Sequence, residues 1–318
     1  TSFWPFIVEV ILSAILTVVG LLLLCFGGNW LVTGGIAIAK KFRISNLVIG
    51  MTIVAYGTST PELAASVAAA GEHSAIILGN IVGSNIANVG MVIAIAAIIV
   101  PLVVKKSVLK KEIPIMLGVS VLLILISIDG ELSQYDGILL LGGLGVFAVY
   151  TFKDAMKQRA ENKDESNKST KNISLKSIGL IGLGVVLLYV GAILTVDNAV
   201  ILAKEFGLSE KIIGLTVIAI GTSLPELITS IIAIRKGHTD IGIGNIIGSN
   251  IYNILMIMGV GATIGGVMIS SDVYVDYAIM IIFSLSLLIA LKTGIINRLM
   301  GICLSIGYVI YLAVTFFK

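Results

Sequence analysis

Two acids stand in sequence that is otherwise apolar. Glu62 lies in "AYGTSTPELAAS" (55–66), and Glu226 lies in a near copy, "AIGTSLPELITS" (219–230). A threonine sits four residues before each acid (Thr58, Thr222) and a serine three before (Ser59, Ser223). Residues four apart share a helix face, with the serine beside them. Pro61 and Pro225 have no amide proton and clash with the carbonyl four residues back, so the sequence predicts opened backbone at Gly57 and Gly221. A second repeated motif, "GNIVGSNIANV" (79–89) and "GNIIGSNIYNI" (244–254), adds Ser84 with Asn88 and Ser249 with Asn253, again four apart. All of these groups offer oxygen; none offers thiolate or imidazole. Such a set suits a hard cation such as Ca²⁺, which takes about 6–8 oxygens at ~2.3–2.6 Å. Two carboxylates balance one Ca²⁺, and Na⁺, of nearly equal size and half the charge, can use the same oxygens. An isolated carboxylate at bilayer depth costs at least ~2.5 kcal/mol. A pair of such acids must therefore take up cations or protons before the site changes sides, which is a physical basis for obligatory exchange.

The elements that carry these residues are membrane spans. The 318 residues are 57% hydrophobic and 12% charged, about half the charged fraction of a soluble domain. Ten apolar segments follow one another, at about 3–39, 47–71, 75–104, 113–128, 136–152, 174–203, 211–234, 240–269, 274–291 and 299–317. Each is read as long enough to cross a ~30 Å hydrocarbon core as a helix, and the runs are continuous rather than alternating, which argues against a β-barrel. The fold class expected is an all-α polytopic membrane protein with ten transmembrane helices. "TSFWPFIVEV" lacks a basic n-region and a cleavage site, so the first segment is read as retained. Cys25 and Cys303 lie in apolar runs and suggest neither a disulfide framework nor a metal site.

Residues 153–173 open a polar stretch, "KDAMKQRAENKDESNKSTKNISLK" (153–176), read as a mobile cytoplasmic linker between halves at 1–152 and 174–318. With the N-terminus outside, eighteen of the 21 Lys and Arg residues fall on the cytoplasmic side, as the positive-inside rule requires. Both termini are then extracellular, in a chain placed in the plasma membrane. The repeated motifs occupy the second and third spans of each half (about 47–104 and 211–269) and lie five spans apart. Five is odd, so the second copy enters from the opposite side. The expected architecture is two inverted five-helix repeats, in which a central site faces either side as the halves exchange roles.

At GTS-x-PE and GSN-I-x-N the sequence strongly resembles the sodium/calcium exchanger family of the cation/calcium antiporter superfamily, in both motifs, the ten-span plan and the central loop. The resemblance implies secondary active, electrogenic exchange of Ca²⁺ for Na⁺ by an antiporter with no enzyme activity and no cofactor. It implies cation ligands at Thr58, Ser59, Glu62, Ser84 and Asn88, and at Thr222, Ser223, Glu226, Ser249 and Asn253, with the backbone carbonyls of Ala55 and Ala219 as further sodium ligands. The proton-coupled branch usually reads GN-A-T-E instead of GTS-x-PE, which places this chain on the sodium side. Potassium-dependent members, and some prokaryotic ones, carry Asp where this chain has Asn253; Asn in both halves here argues against potassium dependence. The resemblance then implies a member without the large cytosolic Ca²⁺-binding regulatory domains of animal exchangers.

Other readings of the same residues stand beside this one. A Gly-Thr-Ser-Pro turn alone is also a packing kink, and the Ser/Asn pairs also serve as interhelical hydrogen-bond glue. Asn80, Asn85, Asn245 and Asn250 are read as structural. Asp197 has no acidic twin and is read as hydrated, near the outer end of its span, with a pathway role as the alternative. Glu9 reads as interfacial, Trp4 and Tyr274 as interface anchors, and His73 and His238 as loop histidines. The nearest rival function is an H⁺/Ca²⁺ antiporter using the same two glutamates; a channel or passive receptor is another. There is no GxSxG or HExxH for a hydrolase, and nothing calls for nucleic acid or an obligatory protein partner beyond the bilayer and the two ions.

Overall fold

The computed structural model describes residues 3–71, 74–161, 175–207 and 219–317. The chain is mostly helical, and among the described residues seven helices are long and apolar enough to cross a membrane. In chain order the helical segments are 3–42, 46–69, 74–99, 106–126, 134–161, 175–205, 219–235, 239–265, 273–291 and 298–317. The second, fourth and seventh are not among the seven: the second and seventh are interrupted, and the fourth opens on a wide π turn at Val108–Glu112.

Segments three and eight form the centre. Their most apolar windows are 83% and 94% buried, against 22% for the first segment and 28% for the sixth. A helix that is apolar all round and buried all round belongs inside a bundle. Segment eight approaches segment two at backbone distance: a Cβ on Gly248 would lie 2.7 Å from the Met51 carbonyl oxygen, and one on Gly244 would lie 2.7 Å from that of Leu47. Most buried apolar side chains form one cluster built on segments two to five and seven to ten. A smaller cluster, with Leu24, Leu31, Leu188 and Ala192, joins segments one and six to the rest. Those two segments pack antiparallel on each other. Cβ atoms on Gly20 and Gly27 would each lie 2.8 Å from the carbonyls of Gly191 and Gly184, so only glycine permits this approach.

The loops sort into two ends. At one end Ser45 N–H donates to Gln158 Oε1, Asn46 Nδ2 to His238 Nδ1 (3.0 Å), and Lys105 pairs with Asp240 (2.6 Å). There β1 (Leu102–Val103) would pair with a strand of the ninth loop, which it does, antiparallel to Ile295–Ile296. At the other end β2 (Glu131–Leu132) pairs with β3 (Val267–Met268), and Tyr274 OH donates to the Ser127 carbonyl. Loops one, three, seven and nine thus share the basic end, and loops four and eight share the other.

Two expectations need correction. The stretch from 153 is not mobile throughout: helix Gln134–Glu161 runs nine residues into it, and Gln158, bonded to Asp154 one turn back, docks on Ser45. A polar sequence keeps its helix where a tertiary contact holds it. The remaining linker residues, like His73, lie outside the described residues. Cys25 and Cys303 are free and exposed.

His238 is half-buried rather than a solvated loop residue. Burial, then the Lys40 and Lys236 charges, lower its pKa against an opposing pull from Asp240, so its neutral ring goes on accepting from Asn46. Because the folded pKa lies below the unfolded value of about 6.5, this contribution to stability is complete above that pH and is lost as pH falls below it. The thermal midpoint of His238→Gln is expected to fall less than wild type between about pH 7.5 and pH 5.5. Equal pH slopes in the two proteins would show that this ring does not titrate with folding.

Candidate cation site

The second segment breaks at Ser59 (φ −83°, ψ 7°), and the seventh breaks at Ser223 (φ −89°, ψ 2°). A new helix starts directly after each break, Thr60–Ala69 and Leu224–Arg235. The prolines are therefore not kinks within a helix. Pro61 and Pro225 sit in a first turn, where a missing N–H costs nothing. That places Glu62 and Glu226 in first turns too, where free N–H groups and the helix dipole favour negative charge. Both glutamates are buried, at 1% exposure, and their carboxyls are close enough to interact electrostatically.

The two halves interlock. The GTS turn of one half meets the GSN segment of the other half, not only its own. Thr58 Oγ1 donates to Asn245 Oδ1 (3.0 Å), and Ser59 Oγ lies 3.1 Å from both Glu226 Oε1 and Ser249 Oγ. Ser249 Oγ also reaches Glu226 Oε1, at 3.4 Å. Each half further anchors its own glutamate helix by one pattern. Asn80 Nδ2 donates to the Glu62 carbonyl and to Ser66 Oγ, and Asn245 Nδ2 donates to the Glu226 carbonyl and to Ser230 Oγ.

Asn88 and Asn253 each open a wide π turn, Asn88–Ile93 and Asn253–Met258, a distortion frequent at functional sites. Their amide nitrogens are engaged across the halves, Asn88 Nδ2 to Asn250 Oδ1 (2.9 Å) and Asn253 Nδ2 to Asn85 Oδ1 (3.0 Å). Their carbonyl oxygens are not. Six buried side-chain oxygens of the sequence-derived set have no hydrogen-bond partner among the described residues: Glu62 Oε2, Ser84 Oγ, Asn88 Oδ1, Ser223 Oγ, Glu226 Oε2 and Asn253 Oδ1. Buried polar atoms are normally paired. Six orphaned oxygens, three from each half and two of them carboxylate, form a donor set that fits a hard cation. Among the described residues no cluster of three or more His, Cys, Asp or Glu occurs.

Thr58, Ser59, Glu62, Ser84, Asn88, Ser223, Glu226, Ser249 and Asn253 are all buried. Thr222 is half-buried on the turn before Ser223. Ala55 is buried, but its carbonyl accepts from both Ser59 N–H (3.0 Å) and Thr58 Oγ1 (3.2 Å), which uses both lone pairs in this conformation. Ala219 opens the short helix Ala219–Thr222. Asp197 is exposed, outside the cluster. Asn85 and Asn250, read from the sequence as structural with Asn80 and Asn245, are buried and bonded across the halves.

Comparison with known proteins places the chain among membrane ion exchangers by similarity. The sequence pattern of the sodium/calcium exchanger protein family matches residues 12–153 and again 176–317. The chain is 37% identical over 316 residues to inner membrane protein YrbG of Escherichia coli, covering 96% of this chain and 97% of that one. It is 36% identical over 346 residues to sodium/calcium exchanger MaX1 of Methanosarcina acetivorans, covering 95% and 98%. A solved structure of the sodium-calcium exchanger NCX_Mj, soaked with zero Na⁺ and Ca²⁺, superposes with a TM-score of 0.83 at 36% identity, covering 96% of this chain and 99% of that one.

A ligand that binds only the folded state raises stability by about 2.7 kcal/mol at 100 times its Kd. Saturating Ca²⁺ is therefore expected to raise the thermal midpoint of the detergent-solubilised protein. Glu62→Gln and Glu226→Gln, which keep side-chain shape and remove charge, are expected to fold and to lose that rise. An undiminished rise in either variant would remove its carboxylate from the site.

Proposed function

Because the chain belongs to the sodium/calcium exchanger protein family, we propose that it is an antiporter exchanging Ca²⁺ for Na⁺ by alternating access, with both ions competing for one cluster around Glu62 and Glu226. The observation that carries this reading is the set of orphaned oxygens drawn equally from the two halves. Thr58, Ser59, Ser84, Asn88, Thr222, Ser223, Ser249 and Asn253 complete the ligand set, with the carbonyls of Ala55 and Ala219 entering as Na⁺ ligands once the Ser59 and Ser223 turns relax.

The paired contacts support ten spans arranged as two inverted repeats, 1–152 and 174–318. Loops that ten crossings place on one side are joined there by hydrogen bonds and strand pairs. The basic end is the cytoplasmic end by the positive-inside rule, which leaves both termini outside. NCX_Mj has been described in terms of extracellular ion exchange and binding-site occlusion, and the same cycle is proposed here. Segments one and six, packed on each other and weakly buried, are the moving element, sliding against segments two to five and seven to ten. Two buried carboxylates explain coupling: without a cation their charge is uncompensated at bilayer depth, so the empty site does not cross.

Two experiments test this. In proteoliposomes, an outward Na⁺ gradient at clamped pH is expected to drive Ca²⁺ uptake. Uptake that follows ΔpH and ignores Na⁺ would replace this reading with H⁺/Ca²⁺ antiport, and Ca²⁺ flux without counter-ion would replace it with a channel. Lys236 Nζ donates to Thr33 Oγ1 (2.8 Å), which places segment one beside the loop after segment seven. Cross-linking cysteines at 33 and 236, with Cys25 and Cys303 replaced, is expected to stop exchange and spare Ca²⁺ binding. Unimpaired exchange would rule out the sliding pair.

A further inference from the structure

Asn85 and Asn250 are fully buried, and each is bonded across the interface between the halves. Asn85 Nδ2 donates to the Asn250 backbone carbonyl (3.2 Å), and Asn250 Nδ2 donates to the Asn85 backbone carbonyl (3.4 Å). The second contact of each nitrogen is also matched, Met280 Sδ for Asn85 (3.7 Å) and Met116 Sδ for Asn250 (3.5 Å).

This arrangement fixes the direction of every hydrogen bond that follows. A backbone carbonyl only accepts, so the side-chain atom facing it must be the NH₂ group. The Oδ1 atoms of Asn85 and Asn250 then point the other way, towards Asn253 and Asn88 respectively. Those oxygens also only accept, so Asn253 and Asn88 must offer them NH₂. What each of these two asparagines has left is Oδ1, buried and without a partner among the described residues. An amide turned the other way round would aim N–H at a cation and oppose the site. The chain of constraint runs from one half's backbone, through the other half's amide, to the ligand.

We propose that Asn85 and Asn250 are positioning residues: each orients the ligand asparagine of the opposite half, so that Asn253 and Asn88 present carbonyl oxygen to the transported cation. The proposal rests on the site reading above. It also gives the closeness of the halves at this point a purpose, since neither repeat can orient its own ligand asparagine alone.

The test is a double-mutant cycle on Ca²⁺ binding to the purified full chain, with maximal exchange rate and thermal midpoint recorded for each variant. Loss of a partner that orients a metal ligand typically costs about 10–100-fold in affinity, and Asn250→Ala is expected to weaken Ca²⁺ binding on that scale. Asn88→Ala is expected to do the same. The double variant is expected to bind no more weakly than Asn88→Ala, because Asn250 acts only through Asn88. Asn85→Ala with Asn253→Ala repeats the test on the other side and serves if Asn250→Ala does not fold. The pairs Asn85/Asn88 and Asn250/Asn253 are expected to multiply, as independent sites do. A merely structural role for Asn250 would instead lower the thermal midpoint and multiply with Asn88→Ala; multiplication there, or unchanged binding in Asn250→Ala, overturns the proposal alone. Unchanged binding in Asn88→Ala overturns the ligand assignment as well.

Discussion

A carboxylate at bilayer depth needs compensation that lipid does not provide, and this chain buries two of them within interaction distance of each other. The surrounding structure follows from that constraint. Each acid sits in the first turn of a helix that restarts after a break, where backbone N–H groups point towards it. The breaks expose polar backbone, so they must lie inside protein, and the most deeply buried segments, three and eight, pack around them. Those segments carry Asn80 and Asn245, which bind the carbonyls of the two glutamates and hold each acid in place.

The contacts come in matched pairs because the two halves present the same residues to each other. Asn85 meets Asn250, Asn88 and Asn253 are held by the opposite copy, and Met280 and Met116 cap the same amides. The symmetry breaks around the GTS turns: Asn245 Oδ1 accepts from Thr58, whereas Asn80 Oδ1, its counterpart, has no hydrogen-bond partner among the described residues. Ser59 is bonded to Glu226 and Ser249, whereas Ser223 Oγ, its counterpart, has no hydrogen-bond partner. Two halves of similar sequence thus adopt unequal local states, the kind of difference the proposed alternation between two faces would use.

Much of this was legible in the sequence. The acids, hydroxyls and amides stood out because lipid-spanning sequence excludes polar groups without a reason, and duplication made the reason visible. Charge asymmetry sorted the loops because each loop carries its own basic residues. Interactions between the halves were not legible. Nothing local in "GTSTPEL" says that Thr58 reaches Asn245 or that Ser59 reaches Glu226. Proline read alone predicts a kink, and only the neighbouring break at Ser59 turns it into a helix start. The polar run from 153 resembled a free linker because its anchor, Ser45, lies more than a hundred residues away.

The placement of segments one and six is the last consequence of the same constraint. Among the described residues, the hydrogen bonds of the glutamates and of the side chains that hold them join segments two, three, seven and eight, so that group cannot rearrange without breaking buried hydrogen bonds, each of which leaves a group costing about 1–3 kcal/mol. Segments one and six hold each other by glycine-to-backbone contact at Gly20, Gly27, Gly184 and Gly191, and meet the core mainly through a small apolar cluster, with Lys236 donating to Thr33 at the exposed basic end. Apolar contacts are non-directional: one register of Leu, Val and Ala against the core can be exchanged for another with little loss, whereas a hydrogen bond cannot be displaced by a few ångströms and survive. The pair is therefore the part of the molecule whose displacement costs least, and it lies against the short helices that carry Thr58 and Thr222. In the proposed cycle, a polar core beside a largely apolar pair would let the faces of the site open and close without dismantling the proposed ligands.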